Sequence, residues 1–165
     1  GPEYLMEAAK KALDIRSDIK FIVAGTGDMY GKMINKAAEL GIAKNVLFTG
    51  HLRGDDVDKA YPMADLYVMP SVSEPFGITP LEALKNNTPV LISNTSGVSE
   101  VLTNALKVDF WDVDEMTNKI VSAVSYGSLN KSLVKNGNKD IKAITWDKAA
   151  KKCVDVYHTV RGIEK

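Results

Sequence analysis

At 165 residues with 45% apolar side chains, the chain has the length of one domain and enough apolar content to bury a substantial core. Lys+Arg and Asp+Glu are equal at 21 each, which removes any charge-based argument for nucleic acid or an anionic membrane and favours small ligands. A single cysteine, Cys153, excludes an intrachain disulfide and a Cys-rich zinc site. With only two histidines, His51 and His158, a histidine metal centre is not expected, and no run is long and apolar enough to span a bilayer. With no signal-peptide pattern either, the chain is expected in the cytoplasm, with membrane association of the full-length protein left open.

Leu5, Ala9, Ala12 and Leu13 recur at helical spacing, and Ile19 to Ala24 reads as a strand. Tyr30, Met33, Ile34, Ala37 and Leu40 make a second helix stopped by Gly41, followed by a strand from Val46 to Thr49. Asp55 or Asp56 can cap a helix through Val57, Ala60 and Tyr61, ahead of a buried-type strand, Leu66 to Met69. A helix opens near Thr79 and stops near Asn86-Asn87, and Val90 to Ser93 is the next strand. A short helix from about Val98, a strand from Ala105 to Val108 and a helix carrying Met116, Ile120 and Val124 follow, and two more helices fill Leu129 to Val160. Strand and helix alternating in this way predict a single α/β domain over residues 1–165, with a parallel, doubly wound, Rossmann-like sheet.

The stretch Pro70 to Leu84 places Glu74 in a loop after a strand and Glu82 in the first turn of the next helix, at the carboxyl edge where α/β sheets bind ligands. Thr79 as N-cap with Pro80 at the first helical position would leave the amides of Gly77 and Ile78 facing a volume that suits a phosphate. The same residues allow a plainer reading. Thr79-x-x-Glu82 is also a capping box, Glu74 can be a solvated loop acid, and Gly77 can serve a turn of positive φ. His51 reads as a turn residue and Arg53 as a surface charge; Trp146 and Tyr157 read as core or as packing surface for another domain. Gly25-Thr26-Gly27 lacks the third glycine of the dinucleotide fingerprint, so it is weak support for NAD.

Glu74 and Glu82 spaced as Glu-x7-Glu, with Pro75-Phe76-Gly77 after the first, resemble the signature of retaining nucleotide-sugar glycosyltransferases of the GT-B fold, chiefly glycosyltransferase family 4. The segments Val23 to Asp28, Val46 to Gly50, Ala64 to Ser71, Pro89 to Ile92 and Ser96 to Glu100 follow in the order of that family's C-terminal domain. Trp146 to Tyr157 resembles its closing helix, so the likeness covers nearly the whole chain. Ser96 and Ser99 depart from it, standing where many members carry a glycine and a proline.

The resemblance implies a donor-binding domain that uses a UDP-, GDP- or ADP-sugar, with no metal and no other cofactor. It places Glu74 at the donor-sugar hydroxyls, as the catalytic candidate, and Glu82 at the ribose diol. The amides of Phe76, Gly77, Ile78 and Thr79 go to the sugar and diphosphate, and the His51-Leu52-Arg53 loop to the nucleobase edge. Ser96 and Gly97 border the pocket, and Gly25 and Gly27 form the family's glycine loop. No residue resembles an enzymic nucleophile, in keeping with a substrate-flanking mechanism.

In the family a strand precedes a helix like Gly1 to Ala8, and the turn after that strand holds an Arg and a Lys on the diphosphate. This chain opens on the helix, and Gly1-Pro2 is either native or a cleavage remnant. The resemblance therefore implies a first strand, the cationic pair and an N-terminal acceptor domain, for a glycan or lipid-linked acceptor, outside the present sequence. It also implies a chain inactive in transfer by itself. A nucleotide-sugar epimerase would share the fold, whereas a phosphorylase would need a pyridoxal-phosphate lysine motif that is not here. A flavodoxin-like signalling receiver would need acidic strand ends, where the chain has Ala24-Gly25, Thr49-Gly50 and Pro70-Ser71.

Overall fold

The computed structural model describes residues 1–162. Seven α-helices are described: α1 Pro2–Ile15, α2 Tyr30–Glu39, α3 Asp55–Met63, α4 Thr79–Lys85, α5 Val113–Ser125, α6 Gly127–Ala143 and α7 Trp146–Val160. Five strands, β1 Phe21–Ala24, β2 Val46–Gly50, β3 Tyr67–Met69, β4 Val90–Ser93 and β5 Leu106–Val108, alternate with them, and short 3-10 turns cover Ala43–Asn45 and Gly97–Glu100. Every strand pair is parallel, which fits an α/β fold with helical crossovers.

The strands form two sheets, β1-β2 and β3-β4-β5, with no backbone ladder between them. Helix α1 joins the two. Its Met6 and Ala9 pack with α2 and the strands β1 and β2, while its Ala8 and Ala12, one position round the helix, pack with Leu91 of β4 and with Met116 and Ile120 of α5. In the central strand β4 successive side chains take opposite faces, as the pleat requires. Leu91 faces α1 and α5, and Val90 and Ile92 face the cluster of Met69, Ala83, Leu84, Val98 and Leu102. Both faces of the three-stranded sheet are covered, whereas on β1-β2 the side away from α1 and α2 leaves Ile22 and Leu47 exposed.

Several local expectations are corrected. The strand expected from Ile19 begins at Phe21, because the Asn45 amide donates to the carbonyls of Ser17 (3.1 Å) and Ile19 (2.9 Å) and holds the approach as a turn. Neither Asp55 nor Asp56 caps α3. Gly54, at φ +52°, is the cap residue, and the two acids lie in the first turn, where the helix dipole favours them. Thr79 is likewise not an N-cap: α4 starts at Thr79 itself, after Ile78. Trp146 is 87% exposed and belongs to no core, and α7 turns Val154, Val156, Tyr157 and Val160 outward as well.

Asp140 on α6 fixes the loop ahead of β5. Its carboxylate accepts from the backbone N–H groups of Thr103 (2.8 Å) and Asn104 (2.7 Å) and from both of their side chains (2.9 Å each). Burial works to raise its pKa, but the hydrogen bonds from Asn104 and Thr103 outweigh it and hold the group below the usual carboxylate range. A depressed folded-state pKa contributes stability that is complete above the unfolded value of about 3.9 and is lost as pH falls through the folded one. Asp140→Asn is expected to lose about 1–2 kcal/mol at neutral pH. Urea titrations of both proteins should show this gap closing below about pH 4; a gap independent of pH would exclude the charged cap.

Candidate functional site

The carboxyl ends of β3 and β4 carry two loops, residues 70–78 and 94–97, that are tied into one body. The Thr95 hydroxyl lies 3.1 Å from the Ser71 carbonyl and 3.0 Å from that of Val72. Gly97 N–H donates to Glu74 O at 3.0 Å and Val98 N–H to Phe76 O at 2.7 Å. The approach is so close that a Cβ on Gly97 would lie 2.1 Å from Pro75 O, so only glycine fits. Ser96 does not copy the family's glycine but holds the turn from inside, its buried hydroxyl donating to Ser93 O at 2.7 Å. Ser99 closes the same turn on Asn94 O at 2.9 Å.

Gly77 has φ +95°, and a Cβ there would meet Met69 Cε at 2.9 Å and Glu74 Cγ at 3.2 Å. The chain thus doubles back and sets the half-buried Glu74 side chain against its own turn. Among the described residues, the N–H groups of Phe76, Gly77, Ile78 and Thr79 meet no hydrogen-bond acceptor, and they lie in sequence beside the Glu74 turn. The side chains of Phe76 and Ile78 are exposed there, 38% and 59%.

Two tyrosines engage the first turn of α4. Tyr67 of β3 donates its hydroxyl to Thr79 Oγ1 at 2.8 Å, and the Thr79 hydroxyl in turn reaches Met69 Sδ at 3.7 Å. Tyr61 of α3 donates to Glu82 Oε2 at 2.9 Å, and the two rings meet edge to face with centroids 5.7 Å apart. The capping-box reading of Thr79 and Glu82 is therefore overturned, since both side chains are engaged by tyrosines instead of the helix's own N–H groups. Burial, then the Glu82 hydrogen bond and charge, push the Tyr61 phenol well above its usual range. The Tyr67 phenol is also raised, by burial first; its bond to Thr79 works the other way, and the Glu82 and Glu74 carboxylates add to the rise.

The other residues singled out from the sequence stand apart from this pair. Gly25 (φ +126°) and Gly27 (φ +157°) form the loop after β1, where Gly25 N–H donates to Gly50 O at 2.7 Å. Pro2, Gly25, Gly27, Tyr30, Met33 and Phe48 line a cavity of about 210 Å³ beside that loop. Gly1 abuts Pro70, so the start of α1 lies between the glycine loop and the glutamate loop. Leu52 is half-buried and Arg53 exposed, both in the loop after β2, and His51 is an exposed residue of the same loop. Sequence reasoning missed Tyr61, Tyr67 and Thr95. Tyr67 looks like one more apolar strand residue, but its position two before Met69 puts it on the strand face that meets α4, and this parity was the available signal.

Fold and site define the class: a Rossmann-like α/β domain of the GT-B type, with its loops gathered at the carboxyl ends of parallel strands. The chain belongs to the family described as glycosyl transferases group 1, which it matches over residues 1–140. It is 36% identical over 161 residues to an uncharacterized glycosyltransferase of Methanocaldococcus jannaschii, covering 95% of this chain and 41% of that protein. To a D-inositol 3-phosphate glycosyltransferase of Mycobacterium sp. (strain KMS) it is 34% identical over 132 residues, 77% of this chain and 30% of that one. The chain thus spans less than half the length of either relative. Among solved structures, the C-terminal domain of a glycosyl transferase group 1 protein from Francisella tularensis superposes with a TM-score of 0.78 at 22% identity, over 87% of this chain and 78% of that one. Anabaena HepE, solved with UDP and glucose, gives a TM-score of 0.81 at 18% identity, over 96% of this chain and 45% of that one. Among the described residues, no helix is long and apolar enough to cross a membrane.

Proposed function

We propose that this chain is the donor-binding domain of a retaining glycosyltransferase, taking the nucleoside-diphosphate part of a UDP-, GDP- or ADP-sugar at the carboxyl ends of β3 and β4. The observation that carries this reading is the run of backbone N–H groups from Phe76 to Thr79 with no acceptor, flanked by Glu74 in the loop and Glu82 in the first turn of α4. Carboxylates suit sugar and ribose hydroxyls, and fixed amides suit a diphosphate whose negative charge grows as the sugar departs. Glu74 holds donor-sugar hydroxyls and Glu82 the ribose diol, with the amides of Phe76, Gly77, Ile78 and Thr79 on sugar and diphosphate. Leu52 and Arg53 follow the base edge, Ser96 and Gly97 border the pocket, and Gly25 and Gly27 close it from the β1 side. The acceptor, glycan or lipid-linked, is held by a further domain of the longer protein, so transfer belongs to the two domains together.

Titration with UDP, GDP and ADP is expected to show millimolar binding of at least one, worth about 4 kcal/mol, with NMR shifts at Gly77, Ile78 and Glu82. Glu82→Gln keeps an acceptor but loses the charge and one of its two oxygens, so affinity should drop by about 1–3 kcal/mol with little change in melting. Absence of shifts at all three positions with every nucleotide at saturation would overturn the assignment of this site.

A further inference from the structure

Glu82 is exposed on α4, and an exposed glutamate ordinarily samples several rotamers, a freedom that binding would have to remove. In this structure the freedom is already restricted by Tyr61, whose hydroxyl donates to Glu82 Oε2 at 2.9 Å from a different helix, α3. Tyr61 is itself fixed. Its carbonyl accepts from the Thr88 hydroxyl at 2.6 Å, Thr88 is fully buried, and its ring rests edge-on against Tyr67 and beside the cluster containing Ala83 and Leu84. Tyr67 is tied in turn to Thr79, which lies one helical turn ahead of Glu82. The two tyrosines therefore bracket α4 at both ends of the turn that carries the carboxylate.

We propose that Tyr61 is a positioning residue: by holding Glu82 Oε2 it orients the carboxylate so that its remaining acceptor positions receive a ribose diol, and it thereby sets the preference for ribonucleotides over 2′-deoxyribonucleotides. The inference rests on the reading of Glu82 as the ribose ligand. It adds a residue that touches no nucleotide. A phenol is a suitable donor for this purpose, since it supplies one hydrogen bond without a charge that would compete with the diol for the carboxylate.

The test compares Kd values of UDP, GDP and ADP and of their 2′-deoxy counterparts for wild type, Tyr61→Phe, Glu82→Gln and the double variant, read by NMR titration. Wild type should prefer the ribonucleotide by about tenfold or more. Tyr61→Phe keeps the ring and its packing, and should lower that preference roughly threefold to tenfold while 2′-deoxynucleotide affinity holds. Adding Tyr61→Phe to Glu82→Gln should change nothing further. If Glu82→Gln loses the preference and Tyr61→Phe retains it, the positioning role is wrong and the ribose assignment stands. An equal loss for both nucleotides in Tyr61→Phe would make Tyr61 a packing residue only, and a wild type without any ribose preference would remove both readings. Should Tyr61→Phe fail to fold, the ζ-carbon NMR signal of Tyr61 in wild type decides the matter. It must shift with saturating ribonucleotide and shift less with the 2′-deoxy form, and no shift overturns the proposal.

Discussion

Gly97→Ala is expected to destabilise the domain by about 2–4 kcal/mol and to loosen the loop that carries Glu74. The added Cβ would sit 2.1 Å from Pro75 O and 3.1 Å from Phe76 Cα, and the three atoms nearest to it are all backbone, so no side chain swinging aside would admit it. Separating the loops also strains the bonds from Gly97 N–H to Glu74 O and from Val98 N–H to Phe76 O. The sum is a steric term of about 1–3 kcal/mol plus a share of two hydrogen bonds of about 1 kcal/mol each. Gly31→Ala is the matched control. It lies within α2 with open space around it and no positive φ, so alanine there should stabilise by about 0.5–1 kcal/mol. Chemical denaturation of the three proteins checks both signs, and a Gly97→Ala midpoint equal to wild type would mean the loops do not approach as described.

Leu91→Ala should have an effect at least as large, about 2–5 kcal/mol. Leu91 is fully buried at the centre of the middle strand, between α1 and α5, and its neighbours Val90 and Ile92 are committed to the opposite face, so no side chain can turn to fill the space. For a domain whose total stability is of order 5–15 kcal/mol, such a loss brings it close to unfolding at ordinary temperature. Leu47→Ala provides the contrast, because Leu47 is 60% exposed on the uncovered side of β2 and its truncation should change stability by under about 1 kcal/mol. Urea midpoints of the two variants should differ widely at similar slopes; closely similar midpoints would contradict the placement of the core.

Elements with strong apolar patterning were legible in advance. The helices at Leu5 to Leu13 and Tyr30 to Leu40 and the strands at Val46, Val90 and Leu106 follow from periodicity and punctuation, and Gly41 ends α2 at φ +71° as a helix-stopping glycine should. Less legible was whatever depends on distant partners. Asn45 reaches back across the chain to shorten β1, and Tyr61 and Tyr67 take the two side chains that a local capping rule would have assigned to α4. Gly77 was readable as a positive-φ turn, whereas Gly97 is required by the loop at Pro75 and Phe76, distant in the chain, which no local pattern announces. Of the site, the two glutamates were evident from spacing and from the family's pattern. The tyrosine bracket that holds one of them was not, because hydrogen bonds between a strand, a loop and two helices leave no periodic trace.

Helix α1 gives the molecule a mechanical property that its ligand loops alone would not reveal. Since β1-β2 and β3-β4-β5 share no ladder, the two sheets are held together by side-chain packing alone, in which α1 takes part on both sides, its Ala8, Ala9 and Ala12 all fully buried. Three methyl groups thus do the work of a seam: a larger side chain at Ala9 would press on the β1-β2 half and one at Ala8 or Ala12 on the β3-β4-β5 half, so either would disturb the fit of one sheet to the other without touching a ligand loop.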